Sequence, residues 1–91
     1  MSKPMSDTMW SVLEDAAKYR DWLTTLAIGR GAWIKRAGDR YVRKVYPPTV
    51  EALCRRGLIA PSHFDKMFGV YYIRWVVTHR GHAELKARAK R

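Results

Sequence analysis

The chain has 91 residues, 47% of them hydrophobic and four of them tryptophan, and its 18 Lys and Arg against 8 Asp and Glu give a formal net charge of +10. That length makes one domain with one modest, aromatic-rich core, and the apolar content excludes a disordered polyelectrolyte over most of the chain. No apolar run approaches the roughly 20 residues that span a bilayer, no apolar stretch of a secretory signal opens the chain, and the single Cys54 cannot form an internal disulfide, so a cytoplasmic protein is expected.

Charge is unevenly spread. Residues 1–29 hold Lys3, Lys18 and Arg20 against Asp7, Glu14, Asp15 and Asp21, a net −1, which leaves +11 on residues 30–91. A surface shaped only by solubility mixes its signs, so a face built from the second part is expected to meet a polyanion.

In chain order, residues 1–6 lack periodicity and read as a flexible leader, and residues 7–91 form the domain. From residue 7 or 8 to residue 28, Met9, Leu13, Ala16, Ala17, Leu23, Leu26 and Ala27 recur at helical spacing. This reads as one long helix, with Ser11 and Glu14 as a capping box and Gly29 and Gly31 ending it. Residues 32–46 admit two readings. Trp33 and Ile34 enter a short strand, Ala37, Gly38 and Asp39 turn, and Tyr41, Val42 and Val45 then lie either on a short second helix or on a strand that pairs back. Either way Lys35, Arg36, Arg40, Arg43 and Lys44 cluster among Trp33, Tyr41 and Tyr46.

Residues 47–59 form the most informative stretch. Pro47 and Pro48 suit the first helical positions, Val50, Leu53 and Cys54 fall at i, i+3, i+4 as a buried stripe, and Thr49, Glu51, Ala52, Arg55 and Arg56 point away from it. Gly57 closes the helix with a left-handed residue, and Leu58 folds back onto Leu53. Residues 58–60 read as a strand, 61–69 as a loop, and 70–77 as a second strand with Tyr71, Ile73, Trp75 and Val77 on one face. The other face, with Val70, Tyr72, Arg74 and Val76, calls for a cover, either the N-terminal helix or a second subunit. Thr78 caps a last helix through Ala83, Leu85 and Ala87, followed by a basic tail over residues 86–91.

This order resembles the winged helix-turn-helix family over roughly residues 10–88. The likeness is carried by Thr49-Val50-Glu51-Ala52-Leu53-Cys54-Arg55-Arg56-Gly57-Leu58-Ile59, similar to the family's recognition helix and exit strand, and by Val77-Thr78-His79-Arg80-Gly81-His82-Ala83-Glu84-Leu85, similar to its final strand and helix. Trp22-Leu23-Thr24-Thr25-Leu26-Ala27-Ile28-Gly29 looks like the end of its first helix. A clear helix before the recognition helix is missing. The resemblance implies a mainly helical α+β fold: a long N-terminal helix, a basic connector, a recognition helix, a two-stranded wing and a C-terminal helix.

It also implies binding to double-stranded DNA, as in a transcriptional regulator of bacterial or phage origin. The helix over residues 48–56 would enter the major groove, with Thr49 and Ala52 nearest the bases and Arg55 and Arg56 reaching phosphate or guanine. The bland reading of the two arginines is a solvated last turn favoured by the helix dipole. Lys35, Arg36, Arg40, Arg43, Lys44 and Tyr46 would contact the backbone, and His63 and Lys66 would do so from the wing. Phe64, Met67 and Phe68 are expected to pack down on the hairpin or first helix, and would mark a protein partner if exposed. The four tryptophans are expected in the core rather than as base platforms.

Catalysis is not expected. His79 and His82 stand at i, i+3 without the cysteines a zinc site needs, Cys54 has no partnered histidine, no carboxylate pair is placed for acid and base work, and no glycine loop cradles phosphate. No metal or cofactor is therefore called for. A protein-interaction or inhibitor module on the same scaffold, or an RNA binder, is the alternative, and a homodimer is compatible with either.

Overall fold

The computed structural model describes residues 4–18, 23–27, 31–36, 40–67 and 69–90, and within these it leaves out the side chains of residues 33, 35, 36, 40, 41, 42 and 67. Among the described residues the chain runs α1 (Asp7–Lys18), β1 (Leu23–Leu26), β2 (Ala32–Arg36), β3 (Arg40–Lys44), α2 (Pro47–Arg55), β4 (Ile59–Met67), β5 (Val70–Val77) and α3 (His79–Ala89). It is a small α+β domain with an antiparallel sheet in the order β3-β2-β1-β5-β4. Helix and strand are present in comparable amounts, so the mainly helical composition expected above does not hold.

The core lies between one face of the sheet and the helices. Leu23 pairs with Ile34 on one side and Trp75 on the other, and Leu23, Ile34 and Ile59 pack against Val12 and Leu13 of α1 and Val50 and Leu53 of α2. Burying each such aliphatic side chain contributes about 1.5–3 kcal/mol. The opposite face, with Tyr72, Arg74 and the exposed Val76, is not covered by α1, contrary to one expectation: α1 packs with Leu23 and Ile34 on the core side.

Three local expectations need correction. The N-terminal helix ends at Lys18 rather than near residue 28, because residues 23–26 join the sheet. Its cap is Ser6, whose Oγ accepts the Met9 N–H at 3.2 Å, and Ser11 lies inside the helix. The sequence Leu-Thr-Thr-Leu satisfies helical spacing, but two consecutive β-branched threonines fit a pleated strand better, and pairing with β2 and β5 decides it. Residues 61–67 are not a loop: β4 continues to Met67. Pro61 is tolerated there because β4 is an edge strand, and a register shift between Pro61 and His63 absorbs the irregularity. Finally, β3 pairs antiparallel with β2, which selects the strand reading of residues 41–45 over the helical one. Residues 19–22, 28–30 and 37–39 lie outside the described residues, and with them Trp22 and the expected turn at Ala37, Gly38 and Asp39.

Other expectations hold. Pro47 and Pro48 occupy the first positions of α2. Gly57 (φ 73°) is left-handed, its N–H bonds the Cys54 carbonyl at 2.9 Å and the Leu58 N–H bonds that of Leu53 at 3.1 Å, the double closure that lets a helix reverse into a strand. Thr78 caps α3 by accepting the Gly81 N–H at 3.0 Å, donates its hydroxyl to the Gly57 carbonyl at 2.7 Å, and its backbone N–H reaches the Leu58 carbonyl at 3.0 Å. Gly81 lets α3 come this close. A Cβ there would stand 2.3 Å from the Leu58 carbonyl oxygen and 2.7 Å from Val77 Cγ1.

Gly81→Ala is therefore expected to destabilise the fold by about 1–3 kcal/mol, measured by urea denaturation, despite alanine's better helix propensity. A change of less than about 0.5 kcal/mol, the usual range for a surface substitution, would show that this approach is not close-packed.

Candidate nucleic-acid interface

Helix α2 lies over the sheet as an amphipathic rod. Val50 and Leu53 are 3% and 0% exposed, and the opposite side presents Pro48, Glu51 and Arg55 as exposed residues with the half-buried Ala52 among them. Thr49 departs from expectation. It is only 9% exposed, because the helix begins against the core right after Val45, so it is turned away from any base edge. Arg55 is exposed and Arg56 is half-buried and engaged within the molecule. The two arginines are thus not equivalent.

The basic connector divides in the same way. Arg43 turns inward along the helical side of the sheet, where its Nη1 donates to Ser11 Oγ and to Asp15 Oδ2, each at 2.8 Å. It ties β3 to α1, which corrects its assignment to a phosphate. Lys44 and Tyr46 are exposed, Tyr46 by 70%. Lys35, Arg36 and Arg40 lie on β2 and β3, with their side chains outside the described residues.

At the hairpin, His63 is exposed and its Nδ1 shares a 2.7 Å hydrogen bond with Ser62 Oγ. Phe64 does not pack down as expected: it is 74% exposed. Register explains why. Phe64 stands opposite Ile73 and Lys66 opposite Tyr71, on the same sheet face as Trp75 and on the edge strand of the sheet. Asp65 alternates to the other face and pairs with Arg74. Lys66 lies over the Tyr71 ring, with Nζ 5.2 Å from its centroid. The side chain of Met67 and all of Phe68 lie outside the described residues.

Between α2 and the strands β1 and β5 runs an apolar groove of about 360 Å³, with Val50, Cys54, Leu26, Ile73 and Trp75 in its walls and Glu51 and Arg55 among its lining residues. Trp75 Nε1 donates to Thr25 Oγ1 at 2.9 Å, which fixes the indole at the groove. Of the other tryptophans, Trp10 packs partly buried on the core with Arg88 stacked at 4.6 Å, Trp22 lies outside the described residues, and so does the side chain of Trp33. Arg88 also bonds Glu14 at 2.7 Å.

Among the described residues there is no group of three or more His, Cys, Asp or Glu able to hold a metal ion, and no helix is long and apolar enough to cross a membrane. Comparison with known protein families, curated proteins and solved structures gives no match for this chain.

If Arg43 is a structural tie and Arg55 an outward cation, Arg43→Ala should lower stability by roughly 1 kcal/mol through loss of its partly buried bonds, while Arg55→Ala should stay within about 0.5 kcal/mol of the parent. Thermal unfolding followed by circular dichroism distinguishes them, and equal effects would contradict the assignment.

Proposed function

We propose that this protein binds double-stranded DNA through α2 and the β4–β5 hairpin, as a small winged-helix-like regulator of transcription with α2 as recognition helix and the hairpin as wing. The observation that carries this reading is an amphipathic helix with Arg55 on its exposed side and a groove along its edge shared with Ile73 and Trp75 of β5, one strand of a long hairpin, on a chain with net charge +10. A helix of this width enters the major groove while a neighbouring hairpin follows the backbone or the minor groove.

Roles follow from exposure. Arg55 is placed for a phosphate or for the O6 and N7 of a guanine, and Glu51, one turn earlier on the same side, can accept from a cytosine amino group. Ala52 between them allows close approach. Tyr46 and Lys66 supply backbone contacts at the flanks, whereas Lys44 and His63 share the sheet face of Arg74, away from α2. Thr49 and Arg43 take no part. The element directly before α2 is strand β3 rather than a helix, so α2 is braced by α1 and the sheet instead of by a preceding helix.

Fluorescence anisotropy with a duplex pool across a salt series tests this reading. Affinity should fall steeply as salt rises, with a slope of about −0.9 for each phosphate neutralised, and Arg55→Ala should flatten that slope by about one. Binding that ignores salt, or a slope untouched by Arg55→Ala, would rule the reading out.

A further inference from the structure

The distal part of the hairpin carries two exposed rings, Phe64 and Tyr71, that duplex binding does not use. Phe64 and Tyr71 are 74% and 52% exposed, and the register makes them diagonal neighbours: Phe64 faces Ile73, and Tyr71 faces Lys66. Diagonal positions of an antiparallel pair stand roughly 7–8 Å apart, about twice the ~3.4 Å rise between stacked bases. At that spacing the two exposed rings offer neighbouring stacking surfaces, with Lys66 Nζ 5.2 Å from the Tyr71 centroid beside them. The carboxylate of this segment, Asp65, is on the opposite face in its pair with Arg74, so Phe64, Lys66, Tyr71 and Ile73 form an aromatic and cationic strip without an acidic group. The strip continues at Ile73 into the apolar groove bordered by both Arg55 and Glu51.

We infer that this strip is a binding site for unpaired nucleotides: bases stack on Phe64 and Tyr71, a following base enters the groove at Ile73 and Trp75, and phosphates face Lys66 and Arg55. This rests on the nucleic-acid reading above and narrows its substrate to duplex DNA that continues into a single strand. Charge decides the occupant. A hydrophobic protein surface would gain from the two rings but would have to desolvate Lys66 beside them, whereas an unpaired strand brings π-faces for the rings and negative charge for the lysine and arginine together.

The test compares a blunt duplex, the same duplex with an oligo-dT tail, and the free oligo-dT strand, with the full chain and with the doubly substituted Phe64→Ala, Tyr71→Ala protein. Both side chains are exposed, and an unchanged thermal midpoint confirms that the variant folds. The tail should raise affinity by about tenfold, equivalent to ~1.4 kcal/mol, and the double substitution should remove that gain while leaving blunt-duplex affinity within about twofold, well below a tenfold step. Equal affinity for blunt and tailed duplex, or a gain that survives the double substitution, would overturn the inference while leaving duplex binding intact. Absence of binding to all three oligonucleotides would overturn the duplex reading as well. If the double substitution instead releases a co-purifying protein and leaves binding to the tailed duplex unchanged, the strip is a protein contact and the inference falls.

Discussion

The turn from α2 into β4 is the constraint on which the rest of the molecule depends. Gly57 and Leu58 reverse the chain there, and their carbonyls accept from the hydroxyl and N–H of Thr78, whose side chain in turn caps α3 through the Gly81 N–H. One residue thus holds the end of a helix, the start of an edge strand, the end of its inner neighbour β5 and the start of the last helix. Backbone groups that a helix end leaves unpaired are used to join elements rather than left to water. Because Leu53 and Leu58 are both in the core beside this turn, packing as well as hydrogen bonding sets the angle between α2 and the hairpin. That angle creates the groove.

A second consequence concerns the cations. An excess of positive charge on a small domain repels itself, and the chain moderates this by giving several arginines structural partners: Arg43 to Asp15, Arg74 to Asp65, and Arg88 to Glu14 and the Trp10 ring. Two of these carboxylates come from the N-terminal helix, the acidic part of the sequence. The charge asymmetry between the two parts of the chain is therefore partly an internal fastening. What remains outward beside the groove is a smaller set, with Arg55 on the helix and Lys66 on the hairpin, and it is this set that the proposed interface uses.

Elements with strong local signals were legible in the sequence. The prolines, the stripe of Val50 and Leu53, and Gly57 specify α2 and its end without help from elsewhere, and Thr78 and the β-branched run before it specify β5 and the start of α3. The failures occur where long-range pairing outweighs local pattern. Residues 23–26 carry a spacing that serves a helix or a strand, and only the partners on both sides, β2 and β5, make them a strand. Residues 61–67 hold a proline and polar side chains that favour a loop, yet an edge position and a bulge let them pair. With that segment taken for a loop, the register that sets Phe64 beside Tyr71 could not be seen, although the alternation of His63 and Asp65 with Phe64 and Lys66 held the signal. Spacing alone also could not separate Arg43 from Lys44, since adjacent strand positions differ only in which face the fold turns toward its core.

The account holds that one rigid surface, composed of the outer side of α2 and the distal hairpin, meets nucleic acid. Amide chemical-shift mapping of the ¹⁵N-labelled chain, titrated with tailed duplex, addresses this most directly. Perturbations should concentrate at Glu51, Ala52 and Arg55 on the helix and at Phe64, Lys66, Tyr71 and Ile73 on the hairpin, with α1 and α3 little changed. Shifts confined to α1 or to α3, or none on the helix and hairpin together, would contradict it.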